Sequence, residues 1–150
     1  MVGDAMGSTV LVCCFWGWFT AQFLKIFYYK YKRGVWTLKA MVASGGMPSS
    51  HSAMCTATTT AVGLTEGFGS PLFAIAICFS CIVMYDAAGV RRHAGYQAEV
   101  LNKVVKEIMA GHPLQDRELK EVLGHTPIQV LCGGLLGVII AVAGINHLGF

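Results

Sequence analysis

Charge is scarce in this chain. Of its 150 residues only 13% are formally charged, 11 Lys or Arg and 8 Asp or Glu. Soluble domains carry roughly 25%, so a surface exposed to water on every side is excluded. Disorder is excluded as well, because disordered chains are rich in net charge and poor in apolar residues, whereas 55% of these residues are hydrophobic. A net charge of +3 gives no footing for a nucleic-acid binder. Internal repeats and low-complexity tracts are also lacking.

The few charges are confined. Five basic residues lie between Lys25 and Lys39, and twelve charges lie between Asp86 and Glu121, which leaves only Asp4 and Glu66 outside. The uncharged stretches between these clusters read as membrane spans, at about 8–24, 50–65, 71–86 and 127–146. The first runs into an aromatic and basic belt from Phe27 to Trp36 with no basic segment before it, so it reads as a retained span rather than a signal peptide. The second is short and rich in Thr and Ala, and the fourth contains Gly133, Gly134 and Gly137. Small residues of this kind let helices pack closely in a membrane. The expected fold is all-α: a multi-pass integral membrane bundle of about four transmembrane helices, with residues 1–150 forming one membrane domain.

The loop joining the last two spans carries a helical signal of its own. Val100, Leu101, Val104, Val105, Ile108 and Met109 form one stripe of a 3.6-residue period, predicting an amphipathic helix over about 95–110. Such a helix lies on the membrane surface or packs against the bundle. Gly111-His112-Pro113 ends it, and a second short helix is expected over 115–123. Segment 25–39 has five positive and no negative residues, which puts it on the cytoplasmic side or the stromal or matrix equivalent. Counting spans then puts loop 86–126 on that same side.

Six cysteines are present, all in apolar segments, where a thiol is a small hydrophobe. Cys78 and Cys81 are spaced C-x-x-C, but no neighbouring polar group activates them and no His stands at ligand spacing. No metal site is expected. Three polar clusters remain, one at each of three span ends: Gly45-Gly46-Met47-Pro48-Ser49-Ser50-His51, Asp86 to Arg92, and Gly124-His125-Thr126-Pro127-Ile128-Gln129. Span parity brings all three to one face of the membrane. Their chemistry suits an anion. A glycine-rich turn entering a helix offers free backbone N–H groups, Ser49 and Ser50 add hydroxyls, and Arg91 and Arg92 offer planar forks that match phosphate oxygens. His51 and His125 titrate near neutrality, one to attack and one to protonate a leaving oxygen. Thr126-Pro127-Ile128-Gln129 also reads as a capping box, which gives Gln129 two competing roles.

The runs GGMPSSHSA, MYDAAGVRRHAGYQAEVLN and LKEVLGHTPIQV, within a match from about Lys39 to Gly137, resemble the divergent branch of the type 2 phosphatidic acid phosphatase superfamily, which is related to acid phosphatases and vanadium-dependent haloperoxidases. The resemblance implies a phosphatase acting on a phosphorylated lipid such as phosphatidate, phosphatidylglycerophosphate or an isoprenyl phosphate. It needs no cofactor, and vanadate would mimic the phosphate. It assigns Ser49, Ser50 and His51 to the motif that binds phosphate and supplies the general acid. His125 becomes the nucleophile, with Gln129 at the position of its orienting acid. Gly46 joins the phosphate-binding turn, either Arg91 or Arg92 is the phosphate clamp, and Lys39 takes the place of the first motif's lysine. Gln129 departs from the pattern because an amide cannot offer a full charge to a cationic histidine. The same resemblance admits a catalytically weak or inactive relative that binds phospholipid or scaffolds. Neither the sequence nor the resemblance sets an oligomeric state.

Overall fold

The computed structural model describes residues 8–42, 45–108, 119 and 124–148. All regular structure among them is helical: α1 (Thr9–Arg33), α2 (Ser50–Glu66), α3 (Pro71–Ala88), α4 (Val90–Ile108) and α5 (Pro127–Ala143). A short 3-10 turn (Leu38–Val42) precedes α2, and a π-helical turn (Gly144–Leu148) extends α5. The expected short helix over 115–123, Gly111-His112-Pro113 and Met109 lie outside the described structure, apart from residue 119.

Each boundary has a local cause. Gly34 takes a left-handed φ of 71° and its N–H donates to the Lys30 carbonyl at 2.9 Å, which ends α1. Ser49 and Ser70 cap α2 and α3, each side-chain oxygen accepting a backbone N–H three residues on. Pro71 and Pro127 occupy the first turns of α3 and α5, where a missing N–H costs nothing. Only Gly89 separates α3 from α4.

Helix α2 is the centre of the bundle and packs against α1, α3 and α5. The contact is close because the facing residues are small. A Cβ on Gly17 of α1 would meet the Ala53 carbonyl oxygen and Ala57 Cβ, both at 2.8 Å. A Cβ on Gly133 or Gly137 of α5 would strike the backbone of Ser49 or of Ala53. Hydroxyls tie the helices further, with Thr56 Oγ1 donating to the Gly134 carbonyl at 2.8 Å and Ser80 Oγ donating to the Cys55 carbonyl at 3.1 Å. Interhelical bonds of this type suit an apolar surround.

Large apolar side chains point outward instead. Phe15, Ile75, Ile82, Leu131 and Ile139 are all more than half exposed, a surface that a soluble monomer does not present. Among the described residues three stretches are long and apolar enough to cross a bilayer: Thr9–Arg33, Pro71–Ile108 through its apolar first half, and Pro127–His147. The protein is a multi-pass integral membrane helical bundle. Of the four expected spans, α2 is the one that does not reach that length and apolarity; its Ser50, Ser52 and Thr59 are buried among the three helices around it.

The amphipathic segment is helical as expected, but it begins at Val90 and runs on from α3. Its buried residues are Gly95, Ala98 and Asn102, while Val100, Leu101, Val104 and Ile108 are exposed. Of the two placements open to it, the apolar stripe is thus turned away from the bundle.

Candidate functional site

One end of the bundle gathers the C-terminal turns of α1 and α3 and the N-terminal turns of α2 and α5. Backbone hydrogen bonds join the polar clusters there. The Ser49 N–H donates to the Gln129 carbonyl at 3.1 Å, and the His125 N–H donates to the Ala87 carbonyl at 3.0 Å. Gly124 lies so close to the Arg91–Arg92 backbone that a Cβ there would have no room. Gly46, with φ of 91°, turns the chain against the ring of Tyr29. All three clusters therefore meet.

His51 and His125 face each other with ring centroids 6.3 Å apart. His125 is buried and His51 half-buried. Lys25, from the last third of α1, reaches into the same place. It is fully buried, and its Nζ donates to Ser50 Oγ at 3.4 Å. Charge alone does not set Lys25 apart from the other basic residues of its segment. The distinguishing signal was spacing: Gln22, Lys25, Tyr29 and Lys32 recur on one face of an otherwise apolar helix. Gln22 is buried too, and its Oε1 has no hydrogen-bond partner among the described residues.

The capping box of α5 and the histidine share one amide. Gln129 N–H donates to Thr126 Oγ1 at 3.4 Å, and Thr126 N–H donates to Gln129 Oε1 at 3.0 Å. His125 Nδ1 lies 3.2 Å from that same Oε1. A backbone N–H can only donate, so the atom it meets is the amide oxygen. An oxygen acceptor in turn requires His125 Nδ1 to carry the proton, which leaves the lone pair of the neutral ring on Nε2. Gln129 is therefore both cap and orienter. His125 Nε2 is buried, with no hydrogen-bond partner among the described residues.

Burial is the main influence on His125 and pulls its pKa below the usual histidine value. The Gln129 hydrogen bond opposes this, the positive charges of Lys25 and His51 add to it, and the nearby Gly46 carbonyl opposes it slightly.

The remaining candidates are placed as follows. Ser49 is fully buried, and its hydroxyl serves α2 by accepting from the Ser52 N–H and hydroxyl. Ser50 is buried beside Lys25. Arg91 pairs with Asp86 at 2.6 Å on the exposed rim near His51. Arg92 donates from Nε to the Tyr96 hydroxyl at 3.1 Å and lines a cavity of about 540 Å³ together with Gly46 and Gln129. Lys39 is exposed and lines a different cavity with Arg33 and Thr37, so the structure does not bring it to the histidines. Among the described residues no group of three His, Cys, Asp or Glu side chains is placed to hold a metal ion.

Residues 6–140 match the family described as the divergent PAP2 family. The chain belongs to that family. An uncharacterized membrane protein of Bacillus subtilis (strain 168), YuiD, is 46% identical to this divergent PAP2 protein over 116 residues, covering 70% of this chain and 72% of its own. No solved structure matches it.

Proposed function

We propose that this divergent PAP2 protein is a membrane-embedded phosphatase that hydrolyses a phosphomonoester of a lipid through a phosphohistidine on His125. The observation that carries the reading is His125 itself: a neutral ring with Nδ1 committed to Gln129 and a buried Nε2 with no hydrogen-bond partner among the described residues, set among His51, Lys25 and the start of α2. That arrangement describes a nucleophile waiting for an electrophile.

In the proposed reaction Nε2 attacks phosphorus, the P–N bond forms and the P–O bond to the lipid alcohol breaks. The protonated form of His51 gives its proton to the departing oxygen. Neutral His51 then takes a proton from water, whose oxygen attacks phosphorus and releases His125 and inorganic phosphate. Charge on the equatorial oxygens is met by the Lys25 ammonium, by Arg91 or Arg92 from the rim, and by the Ser50 and His51 amides. Those two amides open α2, where helix geometry leaves N–H groups free. The cavity supplies the entrance, since two of its lining residues, Gly46 and Gln129, lie against His125. The excess of basic residues in segment 25–39 supports a cytoplasmic, stromal or matrix orientation of this face.

The test is phosphate release by purified protein from phosphatidate, phosphatidylglycerophosphate and isoprenyl phosphates, with vanadate as inhibitor. Loss of release in His125→Ala supports the mechanism, and unchanged release sinks it. A second reading, a phospholipid-binding or scaffolding relative, draws on the amide at position 129 and the burial of His125 to 3% exposure. It predicts lipid binding with no release from any of these substrates, and none gained by Gln129→Glu.

A further inference from the structure

The apolar stripe of α4 plays no part in the bundle. Val90, Val100, Leu101 and Ile108 are each at least half exposed, and Val104 is close to it. These positions recur at three- and four-residue steps, so they share one side of the helix. The opposite side is taken. Gly95, Ala98 and Asn102 are buried there. The Asn102 side-chain amide exchanges two hydrogen bonds with the Leu119 backbone, at 3.0 and 2.9 Å, and Gly124 lies against the Arg91–Arg92 backbone. Residues on the chain's own path to α5 thus hold that side, which leaves the stripe facing outward.

The bend at Gly89 says what it faces. Helix α4 meets the bundle chiefly at its junction with α3. A shallow groove there is lined by Tyr85 and Ala88 of α3 and by Val90 and His93 of α4. A groove shared by two consecutive helices marks the inner side of the bend between them. Both helices turn apolar surface toward it. Ile82 and Tyr85 are exposed on α3 where a spanning helix meets lipid, and Val90 begins the stripe on α4. An angled pair with apolar inner faces fits a bilayer: α3 runs through the hydrocarbon, and α4 leaves it along the surface with its stripe against the same leaflet. His93 and Gln97 interrupt the stripe close to the bend, at the depth where headgroups offer hydrogen bonds. Tyr85 and Tyr96 suit that depth as well. Residues 90–108 carry four basic and two acidic side chains, an excess of the sign that anionic headgroups attract.

One residue connects this face to the cavity of about 540 Å³. Arg92 and Tyr96, one turn apart along the flank of the stripe, line that cavity, and Tyr96 also borders the outer face with Val100 and Leu101. We propose that the apolar face of α4 is a docking surface for the bilayer itself. The helix lies in the headgroup region of the leaflet from which α3 emerges, its stripe submerged, and so holds the cavity mouth level with the headgroups. This goes beyond the phosphatase reading and requires no turnover.

The experiment uses the full chain in vesicles of phosphatidylcholine and phosphatidylglycerol. Single cysteines, Val104→Cys, Ile108→Cys or Lys106→Cys, carry a nitroxide in a cysteine-free background. Collision with oxygen, which concentrates in hydrocarbon, is compared with collision with a water-soluble nickel chelate. Labels at Val104 and Ile108 should favour oxygen and read a depth of roughly 5–10 Å into the headgroup–acyl boundary, whereas the label at Lys106, on the other side of the helix, should favour the chelate. Stripe labels that favour the chelate overturn the proposal. So do stripe labels shielded from both reagents with dipolar broadening between them, which marks a second copy as the occupant. In the double variant Val100→Asp/Val104→Asp, the label at Ile108 should move to the chelate while that at Lys106 stays as before. Both substituted residues are exposed, so the variant removes no buried contact. An Ile108 label that keeps its depth in this variant also overturns the proposal, since something other than the stripe then holds the helix.

Discussion

A single amide oxygen decides the chemistry of His125. Gln129 keeps the imidazole in the tautomer that the proposed reaction needs, but it gives no charge to the phosphohistidine. Gln129→Glu preserves the capping box, because either residue can reach back to the N-cap amide, and adds the missing charge. It should raise phosphate release at least about ten-fold, a charged acceptor being worth roughly twice a neutral one, and move the acid limb of the pH profile upward. Gln129→Leu, which loses both contacts, should cost at least about a hundred-fold. The wild-type limb has a defined direction. With the His125 pKa held down by burial, the neutral nucleophile persists below the ordinary value of about 6.5, so the acid limb of kcat/KM should fall under that pH. Stability follows the same sign: below about 6.5 the unfolded chain binds more protons at this residue than the folded one, so the thermal midpoint should drop on acidification through that window. Lys25→Gln should lower release at least about a hundred-fold, comparable to the loss of one preorganised donor, with the protein still eluting as a folded bundle. Of these residues the two histidines were legible in sequence, because span parity alone brings their turns together. Lys25 was not, since one of five basic residues in segment 25–39 differs from the others only by the helix face it occupies.

Between the helices, the fit depends on hydrogen atoms standing where methyl groups would otherwise be. Gly133 and Gly137 face the α2 backbone, whereas Gly134, one residue away, has only ordinary contacts beyond 3.5 Å, with Thr56 and Met84. Gly133→Ala and Gly137→Ala should each destabilise the bundle by about 1–3 kcal/mol, the usual cost of overpacking, seen as a lower thermal midpoint in detergent. Gly134→Ala should be neutral or slightly stabilising, because alanine is the better helix former. The glycines announced close packing in the sequence; which of them touch α2 depends on rotation about α5, which periodicity over so apolar a helix does not fix. The opposite holds for α4. Its stripe was plain in the sequence, but its start at Val90 was hidden because a lone glycine marks only a bend between two helices.

At the scale of the whole molecule, scarce and confined charge was sufficient to identify a membrane bundle, and the span ends were legible because prolines, serines and glycines punctuate them. The number of spans was less so, since α2 is sheltered by its neighbours and owes little to its own hydropathy. The topology makes a direct prediction: single cysteines placed at Lys32 and at Glu66 in a cysteine-free background should be labelled by an impermeant maleimide from opposite sides of sealed vesicles, with Lys32 reacting from the cytoplasmic, stromal or matrix side. The central position of α2 also bears on how the chain is made. The helix least able to enter lipid alone is synthesised before α5, which carries the glycines that clasp it from the other side. Until α5 arrives, the polar residues of α2 have no finished groove, Ser49 has no Gln129 carbonyl to hold it, and His125 itself has not been translated. The candidate site thus comes together only once α5 inserts, and a nascent chain that stops short of α5 lacks one half of it.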